Sequence, residues 1–135
     1  MKKLLVIAMI TVVTAFSVGC SRNAQFGVVD MNKVQTESAA FKAVADDMKT
    51  KGQAIQDELQ KETAGKSQEE AQKIVQEKSA KMQALQAEAQ NKVKASFETA
   101  AAAVAKEKNL SAILVKEAVP QGGVDVTEDI VKKMQ

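Results

Sequence analysis

The chain has 135 residues, with 19 Lys+Arg against 17 Asp+Glu, a formal charge of +2, no His, Trp or Tyr, and one Cys. That inventory excludes metal centres built from His and Cys, and it excludes Ser-His and Cys-His nucleophile pairs. The basic surplus lies in Lys2 and Lys3 of an N-terminal stretch expected to be removed, which leaves 17 basic against 17 acidic residues and no electrostatic footprint for nucleic acid.

Lys2 and Lys3 are followed by an apolar run from Leu4 to Phe16 and then by Ser17-Val18-Gly19-Cys20. A positive start and an apolar run shorter than the roughly 20 residues of a membrane span read as a secretory signal. The small residues Ser17 and Gly19 before the sole cysteine resemble the lipobox of bacterial lipoproteins. That resemblance implies cleavage between Gly19 and Cys20 and acylation of Cys20. A lone thiol in an oxidising compartment has no intramolecular partner, and acylation consumes it. Several acyl chains at one residue give stable anchoring where a single chain gives marginal binding. Ser21 after the cysteine, rather than Asp, points in the enteric sorting scheme to the outer membrane. The signal is expected over 1–19 and a lipidated tether over 20–25.

Phe26-Gly27-Val28-Val29-Asp30 reads as a buried strand, aromatic and β-branched. From Met31 to Lys108 there is no proline, and Ala, Gln, Glu and Lys dominate, which predicts a long helical region. Phe41, Ala45, Met48, Gly52, Ile55 and Leu59 follow steps of four and three, the rhythm of a coiled-coil seam. The pattern resumes at Ala71, Val75, Lys78, Met82, Leu85 and Ala89 and continues through Val93, Phe97, Ala100 and Val104, where consecutive steps of four mark a stutter. Between the two runs, Gly65 suits a helix C-terminus and Ser67 with Glu70 spells a capping box. The chain is therefore expected to turn back near 64–67, with Gly65 and Ser67 as the turn residues. Gly52 is the rival turn, but a bend there leaves arms too unequal to pair, so it reads as a soft spot within the ascending helix.

Asn109-Leu110-Ser111 interrupts the helix, and Ala112 to Val119 has strand composition. Pro120-Gln121-Gly122-Gly123 is a turn, Val124-Asp125-Val126 a brief third strand, and Thr127 the cap of a terminal helix whose acidic first turn and basic last turn suit the helix dipole. Large apolar residues are unevenly spread. Only Ile55 and Leu59 fall between Lys49 and Lys73, whereas Leu110, Ile113, Leu114, Val115, Val119, Val124, Val126, Ile130, Val131 and Met134 crowd the C-terminal end. With Phe26, Val28, Val29, Met31 and Val34 they predict a compact body built from both termini. A unit that small folds more readily as an oligomer.

Phe26 to Val34, the proline-free middle, Val104-Ala105-Lys106-Glu107-Lys108-Asn109-Leu110 running into Ile113-Leu114-Val115, and Val124 to Val131 together resemble the Skp/OmpH family of periplasmic chaperones. The resemblance covers the chain from Phe26 onward. It implies an α+β, mostly α fold, in which a long antiparallel helical hairpin, a coiled-coil tentacle, projects from a small β-rich trimerisation body. The body would comprise 26–37 and 109–135 and the hairpin 38–108. It also implies a homotrimer that holds unfolded outer-membrane proteins in the periplasm without ATP. The chain departs from the best-known members in a shorter hairpin, in its neutral mature charge and in its tether to membrane lipid through Cys20.

The expected function is thus a lipid-anchored holdase of the periplasm, with client contact spread over the inner hairpin faces. A structural or adaptor lipoprotein using the hairpin as a spacer is the alternative. No enzymatic activity, catalytic residue, metal or cofactor is expected. Asp30, Asp125 and Asp129 form the nearest thing to a carboxylate cluster, and strand ends and helix caps account for each of them.

Overall fold

The computed structural model describes residues 25–135, so Gly19, Cys20 and the rest of the leader and tether lie outside the described residues apart from Gln25. The described chain is mostly helical, with a small sheet. In chain order it runs β1 (Phe26–Val29), α1 (Met31–Glu37), α2 (Ala39–Thr63), α3 (Gln68–Glu107), β2 (Ala112–Val115), a 3-10 turn (Lys116–Ala118), β3 (Val124–Asp125) and α4 (Thr127–Lys133). The sheet has the order β2-β1-β3, and both pairings are parallel. β1, the central strand, is followed by all the long helices before its neighbours arrive.

The helical region predicted from Met31 breaks at Ser38 as well as at the expected turn; the Ser38 backbone is extended (φ −71, ψ 140) and its hydroxyl accepts from the Phe41 amide. Ser38 is fully buried, and two residues on, the Ala40 amide donates to the Met134 carbonyl at 2.9 Å. The start of α2 is thereby stapled to the end of the chain. No Glu or Gln stands three residues after Ser38, so the capping-box spelling that marks Ser67 is absent here.

α2 ends at Thr63 and α3 begins at Gln68. Gly65 takes φ +74, and Ser67 is the N-cap of α3 in a full capping box: the Glu70 amide donates to Ser67 Oγ at 3.4 Å and the Ser67 amide donates to Glu70 Oε2 at 3.1 Å. The Ser67 hydroxyl also donates to Glu70 Oε2 at 2.9 Å, and this bond together with that from the Ser67 amide holds the Glu70 carboxyl below its usual range, so the cap weakens in acid. Ser67→Ala is expected to cost about 1 kcal/mol, measured as a lower unfolding midpoint of the helical circular-dichroism signal. An unchanged midpoint would show that the turn does not need its cap. Gly52 sits within an unbroken α2, its open side 3.9 Å from Met82 Cε, which makes it a packing notch rather than a bend.

At the other end of α3 the chain leaves the helix through Asn109, at φ +53, and the Ser111 amide and hydroxyl both donate to the Gln25 carbonyl, at 2.8 and 3.0 Å. The strand predicted over Ala112–Val119 stops at Val115. Val29, the last residue of β1, pairs with Val115, so the chain beyond has no strand to bond to and turns into the 3-10 segment.

The core comprises Val29, Val34, Ala100, Val104, Val126, Ile130 and Met134, with Phe41, Phe97, Leu110 and Ile113 packed around it. The two termini contribute as expected, but the last turns of α3 are equally part of it. That explains why α3 spans 40 residues and α2 only 25: α3 continues past the start of α2 into the core.

Candidate functional site

Asp30 and Asp125 are committed to local backbone bonding. Asp30 Oδ1 accepts from the amides of Asn32 and Lys33 as the N-cap of α1. Asp125 Oδ1 accepts from both the amide and the hydroxyl of Thr127, which holds its carboxyl below the usual range. Thr127 is the first residue of α4, not its cap; its hydroxyl oxygen also accepts from the Asp30 amide at 3.0 Å, knitting β1, β3 and α4 together. Asp129 pairs with Lys108 at 3.1 Å. These bonds organise the body. Among the described residues no cluster of His, Cys, Asp or Glu is disposed to hold a metal ion, and no helix is long and apolar enough to cross a membrane.

The larger surface belongs to α2 and α3, which pack against each other. Ion pairs between them join Asp47 to Lys92, Lys51 to Glu88 and Glu58 or Glu62 to Lys78, so the numbers rise on one helix as they fall on the other and the pair is antiparallel. Leu85 is buried along the contact line, while Met48, Ile55, Leu59 and Met82 are half-buried there. Two predicted seam positions are displaced. Ala45 is exposed and Val44 turns inward, and Val75 is 45 % exposed while Ile74 turns inward. A straight helix drifts by about 20° per heptad from a strict seven-residue repeat, so a strict heptad count does not follow the inward face along the helices.

The two flanks of this contact line differ. At about 100° per residue, Asp47, Lys51, Glu58 and Glu62 fall on one arc of α2, and Lys78, Lys81, Glu88 and Lys92 on the matching arc of α3. Lys92 lies 2.7 Å from Glu88 and 3.6 Å from Asp47, and Lys51 lies 2.9 Å from Asp47 and 3.9 Å from Glu88. Hydrogen bonds from Lys51 to Asp47 and from Lys92 to Glu88 hold both carboxyls below their usual range, and Glu88 raises Lys92. Exposed pairs of this kind are weak and screened by salt. This flank is closed and neutral rather than strongly held.

At the same level, the other flank and the contact line itself form an open groove of about 300 Å³. Phe41, Val44, Ala45 and Met48 of α2 line it together with Gln86, Ala89, Gln90 and Val93 of α3. No charged residue lines it. Ala45, Gln86 and Gln90 stand exposed at its rim, and the amides of Gln86 and Gln90, one turn apart, can both donate to and accept from a peptide backbone. The heptad reading of the sequence did not separate these flanks. An angular plot of each helix, with charges and apolar residues on separate arcs, carries the signal.

A second apolar surface lies on the sheet. β2 and β3 each pair on one side only, and Leu114 (43 % exposed), Val115 and Val124 present large apolar side chains beside those open edges. Composition alone assigned these residues to the core. Gly65 and Ser67 lie at the far end of the helix pair, remote from both surfaces, and Cys20 and Gly19 lie outside the described residues. No family model matches the chain, and no curated protein sequence matches it.

Proposed function

We propose that the chain is an ATP-independent holdase of the bacterial periplasm, anchored by lipid on Cys20 and acting on unfolded outer-membrane proteins.

 The helix pair acts as a coiled-coil hairpin that projects as a tentacle from a small sheet-bearing body, and three bodies assemble into one trimer. The observation that carries this reading is the uncharged apolar groove between α2 and α3, left open beside a flank closed by ion pairs. Such a groove suits apolar side chains of an extended polypeptide, with Gln86 and Gln90 available to its backbone. Many weak contacts of this kind add up when several hairpins surround one client. They lower the free concentration of the unfolded chain without any chemical step.

Two further features support the arrangement. Unpaired strand edges flanked by exposed Leu114, Val115 and Val124 are surfaces that a soluble protein ordinarily covers, and copies of the same body would cover them. Gln25, whose carbonyl accepts from Ser111, lies at the body, so a lipid tether from Cys20 would join the chain there, while the 40 residues of α3 carry the turn some 60 Å away. The tips then reach from the membrane into the periplasm, with Ser21 favouring the outer membrane as the anchoring site.

The test is light scattering of an outer-membrane barrel diluted from denaturant. The protein lacking its acyl chains is expected to suppress aggregation at trimer excess, and a Val44→Asp/Met48→Asp variant is expected to need roughly tenfold more protein, because an unpaired carboxylate in the groove is costly to desolvate. No suppression by the parent protein sinks the proposal. Crosslinking in cells separates it from the adaptor alternative, since a holdase captures many nascent barrels and an adaptor one constant partner.

A further inference from the structure

The part of the helix pair beyond Lys51 and Glu88 is poor in large apolar residues, yet its central contact position is taken by a lysine. Lys78 is 3 % exposed, and its Nζ lies 2.7 Å from Glu58 Oε2 and 2.7 Å from Glu62 Oε1, one turn apart on α2. The other charges at this level are Lys81, which lies 4.0 Å from Glu58 and 3.1 Å from Glu77. Ile55, Leu59 and Met82 surround the Lys78 stem, with exposed Val75 at the edge. The geometry is asymmetric. The ammonium is withdrawn from water, whereas Glu58 and Glu62 are 51 % and 46 % exposed.

A buried cation is tolerated while its counter-charges are in place, and removing them leaves an uncompensated charge that must be rehydrated. Hydration here requires α2 and α3 to part. The body has no buried charge among the described residues: Val29, Val34, Val104, Val126, Ile130 and Met134 hold it by apolar packing, and Asp125, whose carboxyl Thr127 holds below its usual range, is exposed. We propose that Lys78, Glu58 and Glu62 form an acid-released latch, which lets the segments around 53–62 and 74–84 separate while the body stays folded. Opening exposes Ile55, Leu59 and Met82, and it does not depend on the holdase reading.

The direction of the pH response follows from the charges. The hydrogen bond from Lys78 holds the Glu58 carboxyl below its ordinary value of 4.5, so its stabilising contribution is present above that value and lost as pH falls through the lowered one. Glu58 and Glu62 raise Lys78 above its ordinary 10.5, so its contribution is present below that value and lost only as pH rises through the raised one. The latch is therefore closed at neutral pH and opens on the acid side.

Hydrogen exchange read by mass spectrometry on the full chain, corrected for intrinsic rates, tests this. Between pH 7 and about pH 3.5, peptides covering 53–62 and 74–84 are expected to lose protection by roughly tenfold or more, while those covering 97–104 and 126–134 change by less than about threefold. Glu58→Gln/Glu62→Gln is expected to show the open pattern already at neutral pH. Lys78→Met, which replaces the buried cation with an apolar chain of similar length, is expected to stay protected in acid. Distal protection in the double Gln variant equal to the parent's at neutral pH overturns the proposal, as does acid opening of Lys78→Met to the parent's extent.

Discussion

Ile130→Ala is expected to destabilise the protein by about 3 kcal/mol. Ile130 is fully buried, one turn from Val126 and Met134, which are also fully buried, in a cluster completed by Val29, Val34, Ala100 and Val104. Truncation removes three carbons from a site walled by a strand and by α3, neither of which can collapse inward without breaking its own hydrogen bonds. The loss therefore includes a cavity as well as the transfer term. It falls on a small body with no disulfide to limit the unfolded chain, where total stability is of the order of 5 to 10 kcal/mol. Denaturant titration at fixed protein concentration measures it. A loss below about 1 kcal/mol would mean that this cluster does not hold the fold together.

Gly123→Ala is expected to cost roughly 2 to 4 kcal/mol, a large effect for adding one methyl group to an exposed loop. Gly123 has φ +89, a conformation that disfavours any Cβ, and a Cβ built there lies 2.7 Å from both Phe26 Cε2 and Val28 Cγ1. Val28 is β-branched and bonded into the central strand, so its methyl cannot swing away. Gly65→Ala serves as the control. Gly65 has φ +74 but nothing within 4 Å of its added methyl, so only the conformational cost applies, about 1 kcal/mol. The difference between the two unfolding free energies isolates the contact that seats the Gly122-Gly123 turn on β1. Equal losses would show that Phe26 and Val28 yield and that the turn is not packed against the sheet.

These two sites anchor the body, and the surfaces of interest lie elsewhere. The helix pair has little apolar content beyond Lys51 and carries its charges on one flank, so its behaviour rests on a groove near the body and on a buried ion cluster farther out. A core-directed substitution and a Lys78 substitution should accordingly act on different signals: the first on global unfolding, the second on exchange of the distal helices alone.

Local features were legible from the residues. The Ser67 and Glu70 groups of the capping box lie within one turn of each other, so their spacing is sufficient to place the start of α3. Asp30, two and three residues before the amides it caps, is legible for the same reason. The Ser38 break was not, because its buried serine is held by Phe41 nearby and by the Met134 carbonyl, which bonds Ala40 from the far end of the chain. The exchange of Ala45 for Val44 and of Val75 for Ile74 was also hidden. A strict heptad count does not track the drift of a straight helix.

The sequence by itself determined where α3 starts and which regions are rich in large apolar residues. These depend on composition and on contacts within a turn or two. The tertiary structure alone decided that the three strands run parallel with β1 in the centre, that Leu114, Val115 and Val124 face outward in the single chain, and that Lys78 is buried between two glutamates. Each of those depends on which distant segment lies alongside, and a lysine in a seam reads the same whether water or a pair of carboxylates meets it.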